Sequence, residues 1–265
     1  MQTWLTTYIP KMKSFSVIQY NCGNANRGAC RPFFDSVSPA EHQVLAIQEP
    51  SYNRFTKSTY CPRNFILTYN AAPTTKVCFM VSRSIDAGHW KRQQFGPCVA
   101  TLWIRLEGRE VTIINVYKPQ GETFNGQALS AVREALELAK GEVMLLGDFN
   151  MHHPAWGGIH VTGETQAERL LHEIEAKGLK LATPRGEPTW KRGQCESVID
   201  LTFLSDGLYK RLSFCGTKDR WALTKDHIPI CIQIDAAVYP TTERRRFAIG
   251  KLDQTTFLQK VQRLE

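Results

Sequence analysis

The chain has 265 residues, of which 42% are hydrophobic and 22% are charged, and this composition excludes a disordered, collagen-like or coiled-coil protein. At roughly 100–200 residues per domain, the length allows one large domain or two small ones. Lys and Arg number 33 against 25 Asp and Glu, and the resulting charge of +8 favours phosphate-bearing partners without identifying one.

The eight cysteines are scattered along the chain, with no Cys-x-x-Cys pair and no zinc-like spacing. We therefore expect reduced thiols and a cytosolic or nuclear compartment. The first 13 residues lack the cationic start and apolar stretch of a secretory signal, and no apolar run is long enough to span a bilayer. No membrane partner is expected.

Short apolar runs rich in β-branched and aromatic residues predict strands. These runs cover residues 15–20, 44–48, 65–69, 77–82, 98–106, 111–117, 142–149, 197–204 and 228–234. Helical periodicity predicts a short helix at residues 32–37 and longer ones at 126–140 and 164–177, each longer helix being followed by a glycine. Because much of the hairpin around Gly108 is apolar on both faces, helices should cover the sheets. The fold class predicted is α+β, a four-layered α/β sandwich in which two mixed β-sheets pack face to face with helices outside.

The composition changes after Ala237, and residues 240–265 carry six basic and three acidic side chains. We therefore predict three parts, which are an N-terminal extension (residues 1–13), a folded domain (14–236) and a basic C-terminal linker (237–265). Residues 253–264 of the linker are predicted to start a further helix.

Polar residues follow the apolar runs in a consistent way. Asn21, Glu49, Tyr117, Asp148 and Asn150 lie at predicted strand ends, and Asp200 and Asp226-His227 lie at further strand boundaries. A carboxylate just after a buried strand is rigidly held and partly desolvated, as a ligand of a hard cation must be. One such residue would more often be a cap or a turn former, but seven together indicate a site.

Seven short motifs then occur in a fixed order. They are Gln19-Tyr20-Asn21, Gln48-Glu49-Pro50, Asn115-Val116-Tyr117, Gly147-Asp148-Phe149-Asn150, Pro188-Thr189-Trp190, Ser197-Val198-Ile199-Asp200 and Asp226-His227. This series resembles the endonuclease/exonuclease/phosphatase superfamily of metal-dependent phosphodiesterases over about residues 14–236. Residues 150–157 and the tail beginning at Arg244 resemble the endonuclease of LINE-like (non-LTR) retrotransposon polyproteins.

The resemblance implies a Mg²⁺-dependent DNA endonuclease, for which Mn²⁺ can substitute. Its partner would be double-stranded DNA in the nucleus, of which it would nick one strand and leave a 3′-hydroxyl primer for retrotransposition. A reverse transcriptase would follow downstream in the same polyprotein. On the metal side, the resemblance makes Glu49 the principal ligand, with Asn21 beside it and Asp226 as a second carboxylate.

The resemblance also implies roles in the reaction. Asp148 would orient or deprotonate a water molecule, a choice that the sequence leaves open, and Asn150 would hold that water and the scissile phosphate. His227 would donate a hydrogen bond or positive charge to the phosphate, and Asp200 would fix its tautomer and raise its pKa. Tyr117 would offer its hydroxyl to a phosphoryl oxygen. Asn21 is included in this catalytic set.

Basic side chains are expected to contact DNA phosphates. The predicted set is Lys191, Arg192, Lys210, Arg211, Lys218, Arg220 and Lys225. Lys225 departs from the superfamily pattern, in which many relatives have Ser. Residues 191–195 lie where LINE-like endonucleases often carry a DNA-probing hairpin, and their small number argues against deep insertion into the minor groove.

Two other functions remain open. The chain could act on abasic DNA or another phosphodiester with the same fold, or it could be a catalytically silent module that tethers DNA. Residues His152 and His153 are adjacent and would face opposite sides of a strand, so a zinc site is disfavoured, and one of them should pack on Trp156 or meet DNA.

Overall fold

A computed structural model describes residues 14–23, 29–69, 72–123, 126–218, 221 and 226–238. The predictions for residues 1–13, for the linker beyond residue 238 and for Arg220 and Lys225 lie outside these ranges. The strands are β1 (Phe15–Asn21), β2 (Val44–Gln48), β3 (Phe65–Thr68), β4 (Val77–Ser82), β5 (Trp90–Gln94), β6 (Val99–Leu106), β7 (Arg109–Tyr117), β8 (Glu142–Asp148), β9 (Leu179–Leu181), β10 (Trp190–Arg192), β11 (Cys195–Ser197), β12 (Asp200–Ser205), β13 (Leu212–Thr217) and β14 (Ile230–Ile234). The α-helices are α1 (Arg31–Ser36), α2 (Gln127–Glu137), α3 (Pro154–Gly157), α4 (Thr165–Ala176) and α5 (Asp206–Tyr209).

Two six-stranded sheets form the body of the domain, in the orders β13-β14-β1-β2-β4-β3 and β5-β6-β7-β8-β12-β9. Each sheet has one parallel pair near its middle, β1 with β2 and β7 with β8, and its other pairs are antiparallel. In the register of these parallel pairs, Asn21 lies beside Gln48 and Tyr117 lies beside Asp148. The carboxyl ends of both pairs therefore carry the polar residues that the sequence places after its apolar runs.

The core has three parts, which correspond to the interfaces between four layers. One cluster fills the space between the sheets, a second lies under α2 and α4 on the outer face of the second sheet, and a third lies under α1 on the outer face of the first. Strands β1, β2 and β4 are buried along their whole length, which explains their mainly apolar sequences. The predicted sandwich of two mixed sheets with helices outside is confirmed.

Several strands were not predicted, and each has a polar or partly exposed sequence. Strand β5 (Trp-Lys-Arg-Gln-Gln) is an edge strand that alternates between half-buried and exposed, and β10 and β11 form a separate two-stranded hairpin. The folded part also continues two residues past the predicted boundary, because Val238 is buried and forms a bridge with Leu106. Among the described residues, no helix is long and apolar enough to cross a membrane.

Buried polar side chains connect the two sheets. The Gln48 side-chain amide donates to Asn115 Oδ1 at 2.6 Å, and Asn115 Nδ2 in turn donates to the Ile47 carbonyl at 3.1 Å. Thr202 Oγ1 donates to Gln19 Oε1 at 3.2 Å. Since a buried amide without a partner is costly, these bonds fix how one sheet lies on the other.

Candidate active site

The backbone turns sharply where two of the polar residues follow their strands. Glu49 and Asn150 have positive φ angles of 42° and 46°. This conformation costs a non-glycine residue about 1–3 kcal/mol and is better tolerated by Asn than by Glu. Hydrogen bonds hold both turns, since the Glu49 N–H donates to the Lys76 carbonyl at 2.7 Å and Asn150 Nδ2 donates to the Lys118 carbonyl at 2.9 Å. In this backbone conformation, the side chains of Glu49 and Asn150 line the same cavity.

Asp148 lies at the floor of this cavity and is 1% exposed. Its Oδ2 accepts from Asn21 Nδ2 at 2.8 Å, across the gap between the sheets, and its Oδ1 accepts from the Asn150 N–H at 2.9 Å. Burial, followed by the charge of Asp200, raises the pKa of Asp148 to about 7, although His227 and the hydrogen bonds act in the opposite direction. A carboxylate of this pKa can accept a proton near neutral pH.

His227 stands between two carboxylates. Its Nδ1 lies 2.8 Å from Asp200 Oδ2, and its Nε2 lies 3.9 Å from Asp148 Oδ2. Burial by itself lowers the pKa of His227, but the charge and hydrogen bond of Asp200, with Asp148 and Glu49, raise it to about 9. The imidazole is therefore charged at neutral pH, and Nε2–H is the donor that remains for a phosphate.

Thr189 holds the two members of this pair, a role that the sequence analysis did not assign to it. The side chain is fully buried, and its Oγ1 accepts from the N–H groups of Ile199 at 3.1 Å and Asp200 at 3.0 Å. Its carbonyl accepts from the Ile228 N–H at 2.7 Å, next to His227. The sequence signal was available, since Thr189 belongs to one of the seven motifs.

Thr189→Val should lower the stability of the protein by about 1–3 kcal/mol, because two buried N–H groups lose their acceptor. Thr189→Ser keeps the oxygen and should stay close to the parent. Urea denaturation of the two variants measures the difference. A loss in Thr189→Ser without a loss in Thr189→Val would mean that the γ-methyl group, and not the oxygen, is what matters.

The cavity above Asp148 has a volume of about 410 Å³. It is lined by Glu49, Tyr117, Gln120, Asp148, Asn150, His152, Trp190, Arg192, Ser197, Ile199 and His227. Burial, together with the charges of Glu49 and Asp148, raises the pKa of Tyr117, so its hydroxyl stays protonated and can donate. Lys76, which the sequence analysis missed, lies with Nζ 3.2 Å from Glu49 Oε1 and 5.8 Å from the Tyr117 ring centroid. Its place just before β4 is a weak sequence signal.

The structure brings together Asp148, Asp200 and His227, whose ligand atoms all lie within 4.8 Å of one another. It does not bring Asp226 into this group, contrary to the expectation of a second metal-side carboxylate. The Asp226 carboxylate instead accepts from Arg192 Nε at 2.9 Å, and its carbonyl accepts from the Lys191 N–H at 2.7 Å. Asp226 therefore fastens the β10–β11 hairpin beside the cavity.

A hard divalent cation fits the donors at this edge. Two buried carboxylates face one imidazole, and burial, followed by the charge of Asp200, raises the pKa of Asp148. Glu49 adds a carboxylate on the cavity wall, and Asn21 Oδ1 accepts from the Gly23 N–H at 2.7 Å and keeps its second lone pair. Carboxylate and amide oxygens are the ligands that such cations prefer.

The predicted DNA-binding residues are divided between the two ends of the sheets. Arg192 lines the cavity, Lys191 precedes it on β10, and Lys218 follows β13 with its N–H donating to the Pro229 carbonyl at 3.2 Å. Lys210 and Arg211 lie away from the cavity, and their contact with DNA phosphates stays a prediction. Both follow the end of β12, which runs antiparallel to β8 and so ends at the opposite edge from Asp148.

The histidines after Asn150 have separate roles. The His153 ring packs on Trp156, with centroids 5.1 Å apart, and its Nδ1 accepts from the Ala155 N–H at 3.0 Å to cap α3. The expected packing of one histidine on Trp156 is therefore confirmed. His152 lines the cavity and lies 2.8 Å from the Glu164 carboxylate.

The comparisons with known proteins agree with this geometry. Residues 111–231 match a family model described as endonuclease-reverse transcriptase. The endonuclease domain of TRAS1, a telomere-specific non-LTR retrotransposon, superposes with a TM-score of 0.67 at 16% identity over 83% of this chain and 98% of its own. No curated protein matches the sequence.

Two further solved structures have similar scores. The AP endonuclease LMAP from Leishmania major gives a TM-score of 0.65 at 14% identity over 84% of this chain and 88% of its own. The Xenopus laevis APE2 catalytic domain gives 0.66 at 12% identity over 87% and 94%. Identities this low show the fold, and the family model adds a sequence match over the segment that carries Tyr117, Asp148, Asp200 and His227. Residues 111–231 therefore resemble the endonuclease-reverse transcriptase family, and the described part of the chain has the fold of these endonuclease structures.

Proposed function

We propose that this domain is a Mg²⁺-dependent DNA endonuclease of a LINE-like element, which nicks one strand of chromosomal DNA in the nucleus and leaves a 3′-hydroxyl primer for target-primed reverse transcription. The observation that carries the proposal is the buried Asp148, whose pKa is raised to about 7, facing a charged His227 in one open cavity. A reverse transcriptase in the same polyprotein would use the primer, in line with the name of the matching family model.

The residues of the cavity divide the work of hydrolysis. Asp148 accepts a proton from a water molecule that Asn150 helps to position, and the water attacks phosphorus. The P–O3′ bond breaks and the leaving O3′ takes a proton from solvent, which gives a 5′-phosphate on one side and a 3′-hydroxyl on the other. His227 Nε2–H and the Tyr117 hydroxyl donate to the phosphoryl oxygens as negative charge grows on them. When bound by Glu49 and Asn21, a divalent cation would neutralise part of that charge.

Metal dependence is the first test. Mg²⁺ or Mn²⁺ should support nicking of supercoiled plasmid, and excess EDTA should abolish it, because the cation supplies charge neutralisation that His227 alone cannot. Conversion of supercoiled to open-circular DNA measures the rate. Undiminished nicking in excess chelator would contradict the proposal.

The position of the cut and the ends that it leaves distinguish the proposed function from the two alternative functions. A plasmid and a duplex oligonucleotide with a single abasic site are incubated side by side, and the ends are tested for extension by a polymerase. Nicks in intact DNA with extendable 3′ ends support the proposal. Cleavage confined to the abasic site would instead assign the abasic-DNA activity that the name AP endonuclease describes for one structural neighbour. Binding without any cleavage would leave a tethering module.

A further inference from the structure

A second cleft lies on the outer face of the second sheet, where α2 ends. Its volume is about 300 Å³, and it shares no lining residue with the catalytic cavity. It is lined by Lys91, Arg92, Gln93, Thr101, Trp103, Arg105, Glu110, Thr112, Leu138 and Lys140. These residues define what we call the basic cleft. Thr112 is five residues before Tyr117 on β7, so about 17 Å separates the cleft from the catalytic edge.

The floor of the basic cleft is a row of side chains across three strands. Lys91 pairs with Trp103, and Trp103 pairs with Thr112, so the three lie side by side on one face. Thr112 Oγ1 donates to the Lys140 carbonyl at 2.9 Å, which ties the chain after α2 to the sheet. The cleft is therefore a fixed feature of the fold.

The charge of the basic cleft is strongly positive. Four cations, Lys91, Arg92, Arg105 and Lys140, face a single carboxylate, Glu110. Within the described part of the chain, none of the four has a carboxylate oxygen within ion-pair distance. Partial burial lowers the pKa of Arg92, as expected for a cation with reduced hydration. Unpaired cations held together in a concave surface attract a polyanion.

An aromatic ring lies among these cations. Lys91 Nζ and Arg105 Cζ lie 5.5 and 5.4 Å from the Trp103 ring centroid. The Trp103 indole nitrogen is buried and has no acceptor among the described residues. Cations that track phosphates, interleaved with an aromatic ring, are the combination that binds single-stranded nucleic acid.

We propose that the basic cleft binds a single strand of nucleic acid, with Lys91, Arg92, Arg105 and Lys140 on its phosphates and Trp103 against a base. A flexible strand can follow a concave surface, whereas a rigid duplex cannot enter it. The inference does not depend on nuclease activity, because the basic cleft contains no residue of the catalytic cavity.

The test uses the charge-reversal variant Lys91→Glu/Arg105→Glu, since both side chains are exposed and their replacement leaves the core intact. Its matched control is Arg169→Glu/Lys177→Glu, which reverses two exposed charges on or just after α4. The probes are fluorescent oligothymidylate and oligouridylate of about 12 nucleotides. Binding is measured in EDTA, with unlabelled duplex present to fill the catalytic cavity.

The variant in the basic cleft should bind both probes about tenfold more weakly than the parent, and its salt slope should fall by about 1.4 because two cations no longer meet phosphates. The control should keep the parental affinity, and plasmid nicking should be unchanged in both variants. Trp103→Phe should weaken binding without changing the salt slope. A stronger effect on oligouridylate than on oligothymidylate would identify RNA as the preferred strand.

Three results would overturn the inference. The first is equal affinity in the cleft variant and its control. The second is loss of probe binding when the duplex fills the catalytic cavity, which would place the strand there. The third is displacement of the probe by inorganic phosphate at a concentration equal to that of the probe's own phosphate groups. This result would mean that the cleft binds an isolated anion and not a strand. Plasmid nicking is scored separately, so a failure here is distinct from a failure of the proposed endonuclease.

Discussion

Replacement of His227 by alanine is expected to lower the nicking rate by about 10²-fold or more and to leave DNA affinity nearly unchanged. The imidazolium acts on charge that appears only in the transition state, so its loss affects the reaction and not the binding of the ground state. Nicking rate, DNA affinity and melting temperature are measured on the same protein. His172→Ala, which removes an exposed histidine on α4, is the matched control.

The partner of His227 should act through it. Asp200→Asn removes the charge that raises the pKa of His227 to about 9, and the burial that remains lowers that pKa. Nicking by the parent should fall as pH rises through about 9, when the imidazole loses its proton, and the variant should lose activity at a lower pH. Since the two residues act as one unit, the nicking rate of the double variant should resemble that of the less active single variant.

A structural role for the pair would give another result. If His227 and Asp200 only joined two strands, both variants would lower the melting temperature and reduce binding and nicking in parallel. Full activity in a folded His227→Ala protein would contradict the assignment.

Asp148→Asn should lower the nicking rate by about 10²–10⁴-fold, because an amide cannot accept the proton of the attacking water. DNA affinity should stay the same or increase, since a negative charge facing the phosphate is removed. The amide oxygen can still accept from Asn21, so the fold should survive. The measurement is the single-turnover nicking rate beside DNA affinity, with Asp206→Asn, at the opposite edge of the second sheet, as the control.

The pH profile gives an independent check on Asp148. In the parent, nicking should rise with pH through about 7 as the carboxylate ionises. This acid limb should disappear in Asp148→Asn. An acid limb that persists in the variant would assign it to another group and remove the role of Asp148 as proton acceptor.

Most of the fold could be predicted because burial on both faces leaves a strong trace in sequence. Strands β1, β2 and β4 are mainly apolar, and α2 and α4 have clear periodicity and a following glycine. Strand β5 left no such trace because it lies at an edge of the sheet and its side chains alternate between half-buried and exposed. Composition therefore identifies the strands in the centre of each sheet better than those at its margins.

The site was predictable in part for a related reason. Residues at strand ends, such as Asp148, are visible from the pattern, whereas Asp200 and His227 are 27 positions apart and could be paired only through the resemblance. Thr189 belongs to one of the seven motifs, but its role as a hydrogen-bond acceptor is visible only in the structure. The edge at which Arg211 lies could not be predicted, because a basic residue after a strand gives no indication of which edge the strand runs toward.

Strand β14 lies between β1 and β13 in the first sheet, and its register joins Phe15 to Ile234. Among the described strands, β1 is synthesised first and β14 last, so one edge of β1 stays unpaired until β14 has been made. Until then the backbone N–H and C=O groups on that side of β1 are unpaired and can form hydrogen bonds with strands of other polypeptide chains. Closing this pair spans nearly the whole domain, which makes it a slow step. A chain that stops before residue 227 keeps β7, β8 and Asp148 but lacks both His227 and β14, the strand that pairs with β1. Such a truncated product would aggregate rather than nick, so premature termination gives an insoluble chain in place of a partly active one.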